Sequence, residues 1–112
     1  MSVRHFFRRP ATVSAEEAQR LIADGAVVVD VRREQDWRRA HIPGAIHIPL
    51  GDLESRADEL PDGRTLITFC TGGLLSSGAA NLLAELGFEA TNMARGLIDW
   101  RATGGELVPD EH

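Results

Sequence analysis

Lysine is absent. All twelve basic residues of this 112-residue chain are arginine, which excludes Schiff-base and other lysine-centred chemistry; nothing in folding forbids lysine, so the bias reads as codon usage. Cysteine occurs once, at position 70, leaving neither an intramolecular disulfide nor a C-x-x-C redox pair. No apolar run approaches the roughly 20 residues that a membrane helix needs. The opening "MSVRHFFRRP" has charge but lacks the apolar region of a secretory signal, so a reducing cytoplasm is the expected compartment. Positive charge is in deficit, with 17 acidic residues and a net charge of −5, which argues against nucleic acid or an anionic membrane as partner. His5, His41, His47 and His112 show no metal-ligand spacing, and no metal is expected.

What is present is ordinary for a globular chain: 43% hydrophobic and 26% charged residues, in a length that makes one domain over residues 1–112 the expectation. Ser14 and Glu17 in "SAEE" form a capping box, followed by Ala18, Leu21 and Ile22 at helical spacing, with Gly25 as a stop. "AVVVDV", 26 to 31, is a β-branched run without alternation, the signature of a strand covered on both faces. "EQDWRRA" predicts a short helix. Pro43, Gly44 and Pro49 restrict the next stretch to a turn and a short strand around Ala45 to Ile48. "DLESRADEL", 52 to 60, predicts a helix capped by Asp52 and ending before the Pro61-Asp62-Gly63 turn. "TLITF", 65 to 69, is a second buried strand. "SSGAANLLAELG", 76 to 87, is a helix with Leu82, Leu83 and Leu86 toward one face. "EATNM" gives a last strand and "GLIDWRATGG" a last helical turn or two. Strands alternating with helices predict an α/β fold, a mostly parallel sheet with crossovers on both faces.

Cys70 thus falls at the carboxyl end of a buried strand, the edge where open α/β sheets bind ligands. Gly72 and Gly73 permit positive φ, so that successive backbone N–H groups can turn toward one point. The start of the next helix adds free donors and a partial positive charge. A sulfur at that focus is expected to be held as thiolate, the nucleophilic form. Free cysteines are commonly buried and inert; the glycine pair, the strand-to-helix position and the sheet edge together argue against that here.

These residues carry a resemblance to the single-domain rhodanese (thiosulfate sulfurtransferase-like) family. "VVVDVRREQDWRRAHIPGAIHIPL" resembles its D-V-R block and G-H-I-P-G-A-x-N-I-P segment, "CTGGLLS" its C-x-x-G-x-x-S active loop, and "NMARGLIDWRATGGELVP" its closing Gly-Gly and Trp segment. The match runs from about Val13 to Pro109. It implies a central parallel sheet flanked by helices on both faces and a ping-pong sulfur transfer. In that cycle Cys70 takes a sulfane sulfur as a persulfide and passes it to a nucleophilic acceptor, a thiol, a cyanide-like ion or a protein. Backbone N–H groups from Thr71 through Gly72, Gly73, Leu74 and Leu75 to Ser76 would cradle the sulfur, and no cofactor is needed.

The chain also departs from the family. Arginine is common just after the cysteine and before the serine, where this chain has Thr71 and Leu75. Without those cations a thiosulfate dianion is less favoured, and a thiol-bound or polysulfide donor gains, with Leu74 and Leu75 as an apolar rim. Arg95 replaces the first glycine of the Gly-Gly pair, which raises two alternatives: it reaches the cysteine pocket and restores the charge, or it points into water. The resemblance implies an architectural Asp30, tying strand to loop through hydrogen bonds and an ion pair, with Arg32 as a residue supporting the site. His41 is expected to be locked by backbone hydrogen bonds, and Trp37 and Trp100 to be packing anchors. "GLLSSG" has the glycine spacing of a phosphate loop, but Ala79 and Ala80 stand where lysine and Ser/Thr belong.

Three functions stay open: a sulfurtransferase, a non-catalytic rhodanese-like module acting through the Leu74–Leu75 rim, and a cysteine phosphatase or arsenate reductase. The last would need C-x5-R, and Ser76 occupies the arginine position.

Overall fold

A strand buried on both faces must offer apolar side chains alternately to two layers. A computed structural model describes residues 11–109; the Arg-rich start, His5 and His112 lie outside the described residues. Strands β1 (Ala11–Val13), β2 (Val27–Asp30), β3 (Ile46–His47), β4 (Leu66–Phe69) and β5 (Ala90–Met93) form one sheet in the order β1-β5-β4-β2-β3. Every pairing is parallel, with Val28 opposite Ile67 and Val29 opposite Thr68. The helices are α1 (Ala15–Ala23), α2 (Glu34–Arg39), α3 (Leu74–Glu85) and α4 (Gly96–Ala102).

The two layers follow from the alternation. Val29, Leu66 and Cys70 pack with Leu53, Leu60, Ala79 and Leu83 on the α3 side. Val28, Ile67 and Phe69 pack with Ala15, Ala18 and Trp100 on the α1 and α4 side. Each fully buried aliphatic side chain contributes about 1.5–3 kcal/mol. Trp100 anchors the second layer, its indole N–H donating to the Glu106 carbonyl at 2.9 Å.

Several local expectations are corrected. β1 was not foreseen: three residues are too few for a periodic signal, and it is held by pairing Ala11 to Val13 with Thr91 to Met93. Residues 52–60 do not make an α-helix capped by Asp52. A 3₁₀ segment, Leu50–Asp52, runs into the stretch and a second, Ala57–Glu59, ends it, and Ser55 Oγ donates to the Asp52 carbonyl at 3.1 Å. Leu53, Ala57 and Leu60 are nevertheless buried, so the apolar spacing served burial while the hydrogen-bond register tightened. Half of the capping box forms: Ser14 Oγ accepts the Glu17 N–H at 3.1 Å, but the Glu17 carboxylate turns to Arg20. α3 begins at Leu74, two residues before Ser76, and its buried face is Ser76, Ala79, Ala80 and Leu83. Leu82 is only half-buried and Leu86 is exposed.

Candidate active site

The strand-to-helix connection at the end of β4 runs Cys70-Thr71-Gly72-Gly73 and enters α3 at Leu74. The first turn of a helix leaves N–H groups without intrahelical partners. Gly73, at the N-cap, has no side chain to offer them, and the Cys70 sulfur takes that role. Sγ accepts the N–H of Gly73 at 3.1 Å and that of Ser76, the third helical residue, at 3.3 Å. Thr68, two residues back on β4, donates its hydroxyl to the Ser76 carbonyl at 2.7 Å and ties the helix start to the strand. The earlier start of α3 is what puts the Ser76 N–H on the sulfur. Of the residues expected to form the cradle, Gly73 and Ser76 turn their N–H groups to Sγ, while Thr71, Gly72, Leu74 and Leu75 line the cleft above it.

Two glycines are required by geometry. Gly73 has φ +91°, and a Cβ there would sit 2.6 Å from the Arg95 backbone nitrogen. Gly96 has φ +41°, and its Cβ would lie 1.8 Å from the Cys70 carbonyl oxygen. That contact lets the start of α4 hold the loop from beneath: Leu97 N–H donates to the Cys70 carbonyl at 2.9 Å and Ile98 N–H to that of Thr71 at 3.3 Å. Gly72, in contrast, does not use a positive φ.

Cys70 is only 3% exposed and lies at the floor of a cleft of about 350 Å³. Across from the loop the cleft is bounded by Val31, Arg32, Arg33, Asp36, Pro49, Leu50 and Gly51, of which only Arg32 was anticipated. Arg32 is buried and forks onto Asp30, with Nε 2.9 Å from Oδ1 and Nη2 2.7 Å from Oδ2. Nη2 also donates to the Ala40 carbonyl at 2.8 Å. Asp30 further accepts the Arg32 N–H at 3.0 Å, the architectural tie expected of it. Arg33 pairs with Asp36 at 3.1 Å, and that hydrogen bond holds the Asp36 carboxyl below the usual carboxylate range. Both guanidinium groups of the cleft are thus already countered by a carboxylate.

Arg95 takes the second of its two alternatives. Its side chain is 64% exposed, its Nε lies 3.0 Å from Asp99 Oδ1, and it is not among the cleft-lining residues. Its backbone, at φ 55°, makes the turn beneath Gly73. His41 Nδ1–H donates to the Trp37 carbonyl at 2.9 Å and His47 Nε2–H to the Arg32 carbonyl at 2.8 Å, since a carbonyl only accepts. Trp37 stacks on both imidazoles, 3.6 Å from His41 and 4.9 Å from His47 between ring centroids. Among the described residues no three His, Cys, Asp or Glu side chains gather as metal ligands, and no helix is long and apolar enough to cross a membrane.

Asn92 was missed by sequence reasoning. It is buried on β5, its Nδ2 donates to the Gly73 carbonyl at 3.3 Å, and its Oδ1 accepts from Ser76 Oγ at 2.5 Å. The signal was available: an amide in the middle of a short buried strand must find partners.

The structure thus defines a parallel α/β domain with a cysteine-bearing loop at the carboxyl end of its central strand, over a cleft. The chain belongs to the rhodanese family: the model of the rhodanese-like domain matches residues 14–103. It is 37% identical over 92 residues to the thiosulfate sulfurtransferase GlpE of Ectopseudomonas mendocina, covering 81% of this chain and 84% of that protein. It is 34% identical over 112 residues to the putative sulfur carrier protein YrkF of Bacillus subtilis, covering 88% of this chain but 60% of that protein's length. A rhodanese-related protein from Thermoplasma volcanium shares the fold, with a TM-score of 0.82 at 23% identity over 88% of this chain and 97% of its own.

Proposed function

We propose that the chain is a sulfurtransferase working through a Cys70 persulfide. The observation that carries this reading is the sulfur at the cleft floor with N–H donors at 3.1 and 3.3 Å, in a chain whose relatives include a thiosulfate sulfurtransferase and a sulfur carrier protein by name. The Cys70 thiolate attacks the outer sulfur of a donor R–S–S⁻, the new S–S bond forms on Sγ, and R–S⁻ leaves with the electron pair. An acceptor thiolate or cyanide-like ion then attacks the terminal sulfur, forms its own bond to it, and returns the Cys70 thiolate. The amide donors stabilise the Cys70 thiolate before the sulfur arrives and after it leaves, and the chain's own residues need no cofactor for the exchange.

A thiol-bound or polysulfide sulfur is favoured over thiosulfate as the donor. Arg32 and Arg33 are each neutralised by a partner, while Leu74 and Leu75, 84% and 55% exposed, present an apolar mouth. The acceptor is a small thiol, a cyanide-like ion or a protein thiol, with no nucleic acid or membrane involved, in a reducing cytoplasm where a lone thiol persists. The same exposed leucines favour a second reading, a binding module that docks a partner without turnover. A phosphatase is disfavoured because the Ser76 side chain, standing at the arginine position, is buried and committed to Asn92.

Intact-protein mass after exposure to polysulfide, a persulfidated thiol and thiosulfate separates these. A gain of one sulfur that is absent in Cys70→Ala supports sulfur transfer. No adduct from any donor favours the docking module, and hydrolysis of an aryl phosphate would overturn both.

A further inference from the structure

We infer that Asn92 is a positioning residue that fixes the Ser76 hydroxyl as a proton acceptor for the Cys70 thiol, restraining the nucleophile in its resting state. The inference deepens the sulfurtransferase reading, since it concerns the same sulfur, but its test needs no sulfur transfer. It follows from counting donors. The Gly73 carbonyl can only accept, so the Asn92 NH₂ must face it, at 3.3 Å. The other end of the amide, Oδ1, therefore faces Ser76, at 2.5 Å, and can only accept. A hydroxyl has a single proton. Ser76 spends it on Asn92, which leaves only lone pairs toward Cys70 Sγ at 3.2 Å, and the thiol donates to them. Ser76 and Asn92 are both buried, and no described buried side-chain N or O atom lacks a partner.

The amides of Gly73 and Ser76 thus favour negative sulfur, while the Ser76 oxygen favours S–H. When the proton leaves, the Ser76 hydroxyl can rotate to donate to sulfur only by stranding Asn92 Oδ1 in a buried site, which offsets what the charged bond returns. A persulfide escapes this conflict, because its inner sulfur carries neither the proton nor the charge. The other charged groups facing Cys70 across the cleft are Arg32, paired with Asp30, and Arg33, paired with Asp36. Both pairs are untouched by changes at position 92.

The test is the rate of Cys70 alkylation by iodoacetamide at one fixed neutral pH, on the full chain. Asn92→Leu removes the acceptor, frees the hydroxyl to donate to the thiolate, and is expected to speed alkylation about tenfold, the equivalent of about 1.4 kcal/mol. In Asn92→Leu combined with Ser76→Ala the acceleration over Ser76→Ala alone is expected to vanish, because there is no hydroxyl to release. Asn92→Ala serves as a second, smaller replacement, and circular dichroism confirms which variants are folded. A loosened loop would speed alkylation whether or not Ser76 is present. An acceleration that survives the loss of Ser76, or no acceleration in a folded position-92 variant, overturns the inference. Failure of sulfur loading in the wild-type chain would instead count against the transfer reading alone.

Discussion

Replacing Gly96 by alanine strikes the support of the cysteine loop without touching the sulfur. The new Cβ would lie 1.8 Å from the Cys70 carbonyl oxygen, whereas ordinary contact begins near 3.4 Å, so backbone must move against backbone by about 1.6 Å. An L-residue at positive φ costs about 1–2 kcal/mol. Overpacking against a rigid neighbour costs about 1–3 kcal/mol. The displacement also strains the bonds from Leu97 and Ile98 to the Cys70 and Thr71 carbonyls, each contributing about 0.5–1.5 kcal/mol. The expected loss is on the order of 4 kcal/mol, a large share of the roughly 5–15 kcal/mol that holds a domain of this size together. Urea denaturation followed by circular dichroism reads the stability. Sulfur loading by mass spectrometry, under conditions where the variant remains folded, reads the site, and loading is expected to slow at least about tenfold as the loop amides swing off the sulfur. Gly72→Ala is the internal control: its Cβ meets nothing within 4 Å and its φ is not positive, so stability should change by less than about 0.5 kcal/mol. If Gly96→Ala melts and loads like the wild type, or if the two variants behave alike, the account of how the loop is held is wrong.

Two further outcomes follow from the cleft's charges. Leu75→Arg, at a half-exposed rim position, should raise the rate of loading from thiosulfate roughly two- to thirtyfold, on about 0.2–1 kcal/mol per exposed charge pair and two charges on the donor; a matching rise for an uncharged dialkyl trisulfide donor would argue against an electrostatic cause. Arg32→Met strands the Asp30 carboxylate, which is fully buried, and should cost about 3–5 kcal/mol in chemical denaturation. Adding Asp30→Leu should return part of that loss; additive penalties would deny the coupling.

The larger plan was readable because burial on both faces of a parallel strand demands continuous apolar runs, and "AVVVDV" and "TLITF" supply them. Glycines 25 and 87 fell where positive φ ends a helix, at φ +108° and +98°. β1 was invisible, since its stability comes from a partner strand some 80 residues along the chain and not from its own three residues. The 52–60 segment misled for the opposite reason: its apolar spacing is helical, but its backbone bonds mostly close over three residues, and the Ser55 hydroxyl takes the Asp52 carbonyl.

At the site, residue type and order were enough to single out Cys70 and the loop that follows it, because a lone thiol, a flexible turn and a helix start are local features, while the Asp30 tie was implied by the family resemblance. Which N–H groups reach the sulfur depended on where α3 starts, with Thr68 bonding the Ser76 carbonyl and the sulfur accepting the Gly73 and Ser76 N–H groups. Arg95 was equally free, along the chain, to face the pocket or the solvent; Asp99, one helical turn later, drew its side chain outward. Asn92 and the far wall of the cleft came from other strands, and no pattern along one stretch of chain encodes a contact that exists only when the sheet brings distant residues within hydrogen-bond reach.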